Sequence, residues 1–155
     1  MTEPQGAPDA RAMLTRAGLR VTKPRVSVID YLAQHPHAAT DRVATSVRAD
    51  LGSVSTQAVY DVLRALTGAG IARRIEPAGS SALFELRTGD NHHHLVCRSC
   101  GLVADVDCAQ GTAPCLTPAD HPGFDVDEAE IVFWGLCTQC AQSNHPRTTV
   151  QEEEA

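Results

Sequence analysis

The sequence predicts an α+β protein in two parts, an N-terminal winged helix-turn-helix followed by a small α/β domain with a structural zinc site. Three observations lead there. Helical periodicities give way to two short apolar alternations before residue 87, two Cys-x-x-Cys pairs follow, and the charge balance reverses between the halves.

The elements can be justified in order. Arg11–Ala17 reads as a short helix closed by Gly18 at the position after the C-cap. Thr22 is a good N-cap for a second helix with Pro24 in its first turn, where a missing N–H is harmless. That helix turns Val28, Ile29 and Leu32 inward and runs out at His35-Pro36. Thr40 is read as the cap of a third helix bearing Val43, Ala44, Val47 and Leu51, stopped by Gly52. Ser55 caps a fourth helix over about residues 56–67, with Val59, Val62, Leu63 and Leu66 as an apolar stripe. Its opposite face carries Gln57, Tyr60, Asp61 and Arg64. Two alternations, Ile71–Glu76 and Ala82–Leu86, flank a Pro77–Ser81 linker and read as a hairpin. Short strands are then expected at His94–Val96, Leu102–Val106 and Glu130–Leu136, with a helix around Pro118–His121. The domain bounds are a flexible tail over 1–9, a winged-helix domain over 10–87, a hinge at 88–90, a second domain over 91–141 and a flexible acidic tail over 142–155.

A net charge of −6 conceals an asymmetry. Residues 1–90 hold 11 Lys and Arg against 9 Asp and Glu, whereas residues 91–155 hold 2 against 10. A basic front half suits phosphate and an acidic back half does something else. The longest apolar stretch, Ile131–Cys137, is too short to span a bilayer. No basic leader followed by an apolar stretch opens the chain, which reads as cytoplasmic. Six cysteines in that setting suit metal or redox work better than a disulfide framework.

The cysteines divide by spacing. Cys97-x-x-Cys100-Gly101 and Cys137-x-x-Cys140 each let a tight turn aim two sulfurs at one ion. Four thiolates make a closed tetrahedral shell, the donor set of a structural zinc that ties strands together and does no Lewis-acid chemistry. Cys108 and Cys115, six residues apart in an irregular segment, are a redox couple, soft ligands or ordinary cysteines. Before the first pair stands His92-His93-His94. On a strand, His92 and His94 share a face. With Glu85 in the wing and Asp105 in the next strand they offer mixed nitrogen and oxygen donors, suited to Fe(II), Mn(II), Zn(II) or Ni(II).

Taken together, Gly18–Arg25, Ser55–Leu63, Phe84-Glu85, His92–Gly101 and Cys137–Cys140 resemble the ferric uptake regulator family, in family order over about 130 residues. The resemblance implies a metal-dependent DNA-binding repressor, not an enzyme, that acts as a homodimer on a double-stranded DNA operator. The second domain is then the dimerisation domain, and neither a membrane nor a small organic ligand is expected. It also implies a regulatory ion, Fe(II) or Mn(II), held by His35, Glu85, His92, His94 and Asp105. His37 is a near alternative to His35, since His-Pro-His leaves the choice to geometry. Ligands from both domains would let the ion select one inter-domain arrangement. A second histidine–acid site is common in the family. Here His93 and His121 are available to it, but Glu128 and Glu130 stand where a histidine is usual.

Asp105 resembles the peroxide-sensing branch, in which bound Fe(II) reacts with peroxide and a ligand histidine is oxidised. The expectation is therefore a peroxide-responsive repressor of defence genes such as a catalase, with iron-uptake control by Fe(II) as the alternative. Zinc or nickel sensing ranks below both, because the zinc branch recruits a cysteine where Glu85 stands. A non-haem iron enzyme would share the histidine–carboxylate donors, but the front half reads as a DNA-binding module instead of a substrate pocket. Tyr60, Arg64 and Gln57 are expected to read bases, and Arg20, Lys23, Arg25, Arg73 and Arg74 to meet phosphates.

Overall fold

The computed structural model describes residues 8–77, 81–87, 93–106, 123 and 131–143. Contacts divide the chain into two compact units, Met1–Asp90 and Asn91–Ala155.

In the first unit four helices form where apolar residues recur at helical spacing. Helix α1 spans Ala10–Arg16, and the Asp9 carboxylate accepts from the backbone N–H groups of Arg11 and Ala12 at 3.0 and 3.1 Å. It ends as the sequence suggests. Gly18 takes φ 68°, and the N–H groups of Gly18 and Leu19 return to the carbonyls of Thr15 and Leu14. Helix α2 spans Lys23–Gln34 with Pro24 in its first turn, although the Thr22 side chain makes no capping bond. Helix α3 spans Thr40–Leu51 and α4 spans Thr56–Gly68, where Ser55 Oγ accepts from Ala58 N at 3.1 Å. Leu14, Val28, Ile29, Val43, Val47, Val59, Leu63 and Leu66 are fully buried and anchor one core. Both α3 and α4 pack on α2.

A small sheet completes this unit, with strand β1 at Ala38–Ala39, β2 at Ala72–Ile75 and β3 at Leu83–Leu86. The order is β1-β3-β2, antiparallel throughout. β1 is an addition to the sequence reading. Its pairing of Ala38 with Phe84 and Ala39 with Leu83 carries the extended chain up to α3. Ala39 therefore sits at the N-cap and Thr40, expected there, becomes the first helical residue.

The second unit is built on a sheet of order β5-β4-β6, where β4 is His93–Cys97, β5 is Val103–Val106 and β6 is Val132–Gly135. β4 pairs antiparallel with β5 and parallel with β6. A short helix, α5, follows at Thr138–Gln142. Among the described residues of this unit only Val96, Cys97 and Val103 are buried apolar side chains, whereas Leu95, Leu102, Phe133 and Trp134 are exposed. A metal staple would add to the hold that these few described core residues give. No described helix is long and apolar enough to cross a membrane. His92, Cys108, Cys115, His121, Glu128, Glu130, the hinge at 88–90 and the helix expected near Pro118 lie outside the described residues.

Candidate metal centres and nucleic-acid interface

β4 ends on Cys97, and the turn that follows doubles back so that Gly101 N donates to Cys97 O and Cys97 N donates to Leu102 O. Gly101 holds φ 74°, a conformation open to glycine without strain. This turn presents Cys97 and Cys100, while Cys137 caps α5 and Cys140 lies one turn inside it. Parallel pairing of β6 with β4 sets Gly135 opposite Cys97, which brings the second pair to the first.

The four sulfurs lie within 4.8 Å of one another. A tetrahedron with Zn–S bonds of about 2.3 Å has edges of about 3.8 Å, and the Cys100 and Cys137 sulfurs stand 3.8 Å apart. That separation is well beyond a disulfide bond of about 2.05 Å, and all four thiols are free. The electrostatics agree. Cys137 N–H donates to Cys97 Sγ at 3.3 Å, and with further backbone donors it lowers the Cys97 thiol to about 6. Cys140 goes the other way. The Ser99 hydroxyl favours its thiolate, but the adjoining thiols of Cys137 and Cys100 and its burial push it up to about 12. Four thiolates at this spacing need a compensating dication, and the residues fit a closed structural zinc site.

Each unit also carries an imidazole–carboxylate pair. In the first, His37 Nε2 lies 2.9 Å from Glu85 Oε2, with both side chains at most one-tenth exposed. The fold explains the pairing. His37 directly precedes β1, β1 pairs with β3, and β3 carries Glu85 opposite Arg73 of β2. His37 takes φ 58°, a left-handed backbone that non-glycine residues seldom adopt and one that concentrates at functional sites. His35 is elsewhere. It is the exposed C-cap residue of α2, stacked on Tyr31 with ring centroids 4.4 Å apart and Nδ1 3.2 Å from the Tyr31 carbonyl. Of the two histidines, the structure thus brings His37 and not His35 to Glu85, because His35 is spent on the helix end. In the second unit β4 and β5 place His94 directly opposite Asp105. His94 Nε2 is 3.7 Å from Asp105 Oδ1, with the imidazole fully buried and the carboxylate half exposed. His93, on the other face of β4, meets the edge of the Phe133 ring at 6.2 Å.

The polar face of α4 is open to solvent. Tyr60 is 48% exposed, and the Arg64 side chain is 85% exposed. Gln57 lies on the same face. Arg20 and Lys23 are exposed, while Arg25 is half-buried and donates from Nη1 to the Arg20 carbonyl at 2.7 Å. Arg74 is exposed and paired with Glu76 at 2.9 Å, and Arg73 is half-buried. The sequence reading missed Asp61 as an organising residue. It takes the Gln57 amide at 3.2 Å and lies 3.5 Å from Arg64. Its i, i+3 and i+4 spacing to those two residues was the available signal.

A helical reader with a wing, followed by a small sheet pinned by a four-cysteine cluster, defines a two-part α+β metalloprotein of the helix-turn-helix class. The chain belongs to the Ferric uptake regulator family, whose model matches residues 16–133. It is 57% identical over 141 residues to the "Transcriptional regulator FurA" of Mycobacterium tuberculosis, covering 91% of this chain and 96% of that one. To "Ferric uptake regulation protein 1" of Mycolicibacterium fortuitum it is 60% identical over 126 residues, covering 81% and 78%. Among solved structures, the ferric uptake regulator from Pseudomonas aeruginosa with manganese superposes with a TM-score of 0.64 at 26% identity, covering 84% of this chain and 99% of that one. The protein is a metal-dependent transcriptional regulator and not an enzyme.

Proposed function

We propose that this chain is a homodimeric repressor that binds a double-stranded operator when an Fe(II) corepressor is bound, and so answers to iron supply. The observation that carries the reading is the pair of imidazole–carboxylate sets, His37 with Glu85 and the buried His94 with the half-exposed Asp105, one in each unit. Nitrogen and carboxylate donors of this kind suit Fe(II) and Mn(II). An ion drawing on both sets, with His92 as a further ligand, has differential affinity for one arrangement of the units and biases the equilibrium toward it. His37 replaces His35 in this ligand set because of its contact with Glu85. The name borne by the relative at 60% identity, a ferric uptake regulation protein, supports control of ferric uptake, and manganese in the Pseudomonas protein supports the metal class.

On the DNA side, the exposed face of α4 supplies Gln57, Tyr60 and Arg64 for base edges. Arg20, Lys23, Arg25, Arg73 and Arg74 supply phosphate contacts, which set register and salt dependence. A second reading, release from DNA on exposure to peroxide with derepression of a catalase-type gene, is favoured by one residue, the aspartate at 105 opposite His94.

Fluorescence anisotropy of the zinc-retaining protein on DNA from upstream of its own gene separates these readings. It is run in a mild chelator, with Mn(II), and with anaerobic Fe(II) before and after hydrogen peroxide. Metal-dependent binding that survives peroxide supports iron control. Binding lost after peroxide with Fe(II) alone supports the second reading, and equal binding in chelator refutes both.

A further inference from the structure

The reading helix carries an acid where it meets DNA. On α4, Gln57, Asp61 and Arg64 stand at i, i+4 and i+7, all on the exposed face with Tyr60. Gln57 Nε2 donates to Asp61 Oδ1 at 3.2 Å, and Arg64 Nη2 lies 3.5 Å from the same oxygen. The Asp61 side chain is 55% exposed, so its charge stays in solvent until DNA arrives. These residues line one side of an open groove of about 890 Å³, whose other wall carries Arg74 paired with Glu76.

We propose that Asp61 is a positioning residue that sets the specificity of the reading helix, by holding Gln57 and Arg64 and by opposing the approach of phosphate. The proposal rests on α4 being the reading element and goes beyond it. An arginine free on a helix surface takes any phosphate offered, which raises affinity for all DNA alike. With Asp61 at its side, Arg64 gives up a carboxylate partner before it gains a phosphate. Only a guanine edge, which takes two donors at once, returns more than is given up. The Gln57 amide, oriented by the same oxygen, keeps its carbonyl turned to accept. On non-operator DNA no base contact offsets bringing the carboxylate up to the backbone, so the penalty falls mainly there. A smooth basic surface would bind more tightly and discriminate less.

The test uses the full-length, zinc-retaining, Mn(II)-loaded protein and anisotropy on two duplexes of equal length, its operator and a scrambled sequence, across a salt series. Asp61→Asn keeps an oxygen for the Gln57 amide and removes the charge. The scrambled duplex should bind about tenfold more tightly, with a salt slope steeper by about 1.8 as the Arg64 of each protomer in the dimer takes one phosphate. Operator affinity should change less than about threefold, a small shift on the usual scale of base discrimination. Adding Arg64→Ala to Asp61→Asn should return the slope to its original value. An unchanged affinity ratio and slope overturns the proposal. So does operator binding lost while scrambled binding holds, since Asp61 would then contact a base itself. Arg64→Ala alone serves as the control for the underlying reading. If it leaves operator affinity untouched, α4 is not the reading helix; if it weakens operator binding and Asp61→Asn leaves the ratio intact, only this proposal fails.

Discussion

Removing zinc should unfold the second unit and spare the first. Sixteen buried residues form the core of the first unit, whereas the second has Val96, Cys97 and Val103 among its described residues. Structural zinc sites contribute about 10–16 kcal/mol of apparent binding energy, at or above the ~5–15 kcal/mol that holds a whole domain together. Shared over four thiolates, this is about 2.5–4 kcal/mol per ligand. Cys97→Ser should therefore weaken zinc by roughly one-hundred- to one-thousand-fold. Two optical probes separate the units. The sole tryptophan, Trp134, lies on β6 with the Arg98 guanidinium 5.2 Å from its ring centroid, so its emission reports the second unit. Helices α1–α4, all in the first unit, dominate the far-ultraviolet helix signal. On strong chelation, or in Cys97→Ser at limiting zinc, Trp134 emission should shift while the helix signal persists to a separate, higher melting transition. Coincident loss of both signals, or no change in either, would refute the reasoning.

Three further outcomes follow from the geometry. His37→Ala should abolish the metal dependence of DNA binding, whereas His35→Ala, which removes only a ring stacked on Tyr31, should leave it within a fewfold, as metal titrations followed by anisotropy will show. Calorimetry of zinc binding to the metal-free protein, in buffers of different ionisation enthalpy, should find close to four protons released at pH 7.5, because in the unfolded second unit the thiols sit near the ordinary value of 9.0. A count near three would mean instead that the turn around Cys97, whose backbone donors lower its thiol to about 6, persists without zinc. Finally, Ser55→Ala should destabilise the first unit by about 1 kcal/mol, read from the helix signal in urea, because Ala58 N loses its acceptor.

The helices were legible because burial and periodicity coincide in them. Val59, Leu63 and Leu66 form the buried stripe their spacing indicates, and Gly18 closes α1 through local bonds alone. The cysteine cluster was legible for a similar reason, since two residues between thiols already define each turn. What escaped depends on partners distant in sequence. Ala38–Ala39 has no strand pattern of its own and exists as β1 only through β3, some 45 residues on. The parallel pairing of β4 with β6 is likewise a long-range event that neither strand announces. The choice between His35 and His37 turns on the backbone around Pro36. One histidine finishes a helix and folds back on Tyr31, and the other enters a left-handed conformation beside Glu85. Spacing carries none of that information.

Strand β4 has a consequence for the order in which the protein can be loaded. It holds His94 near one end and finishes on Cys97, three residues or roughly 10 Å further along. The alignment of His94 with Asp105 is therefore maintained by the same short strand whose far end is moored in the cysteine cluster. Zinc at the thiolate site would thus steady the strand that carries His94, and loading would be expected to run from the thiolate site to the histidine site. Under the proposed iron-responsive function, a cell short of zinc would make a protein deaf to iron, however plentiful the iron, and the transcriptional output would report the scarcer of the two metals.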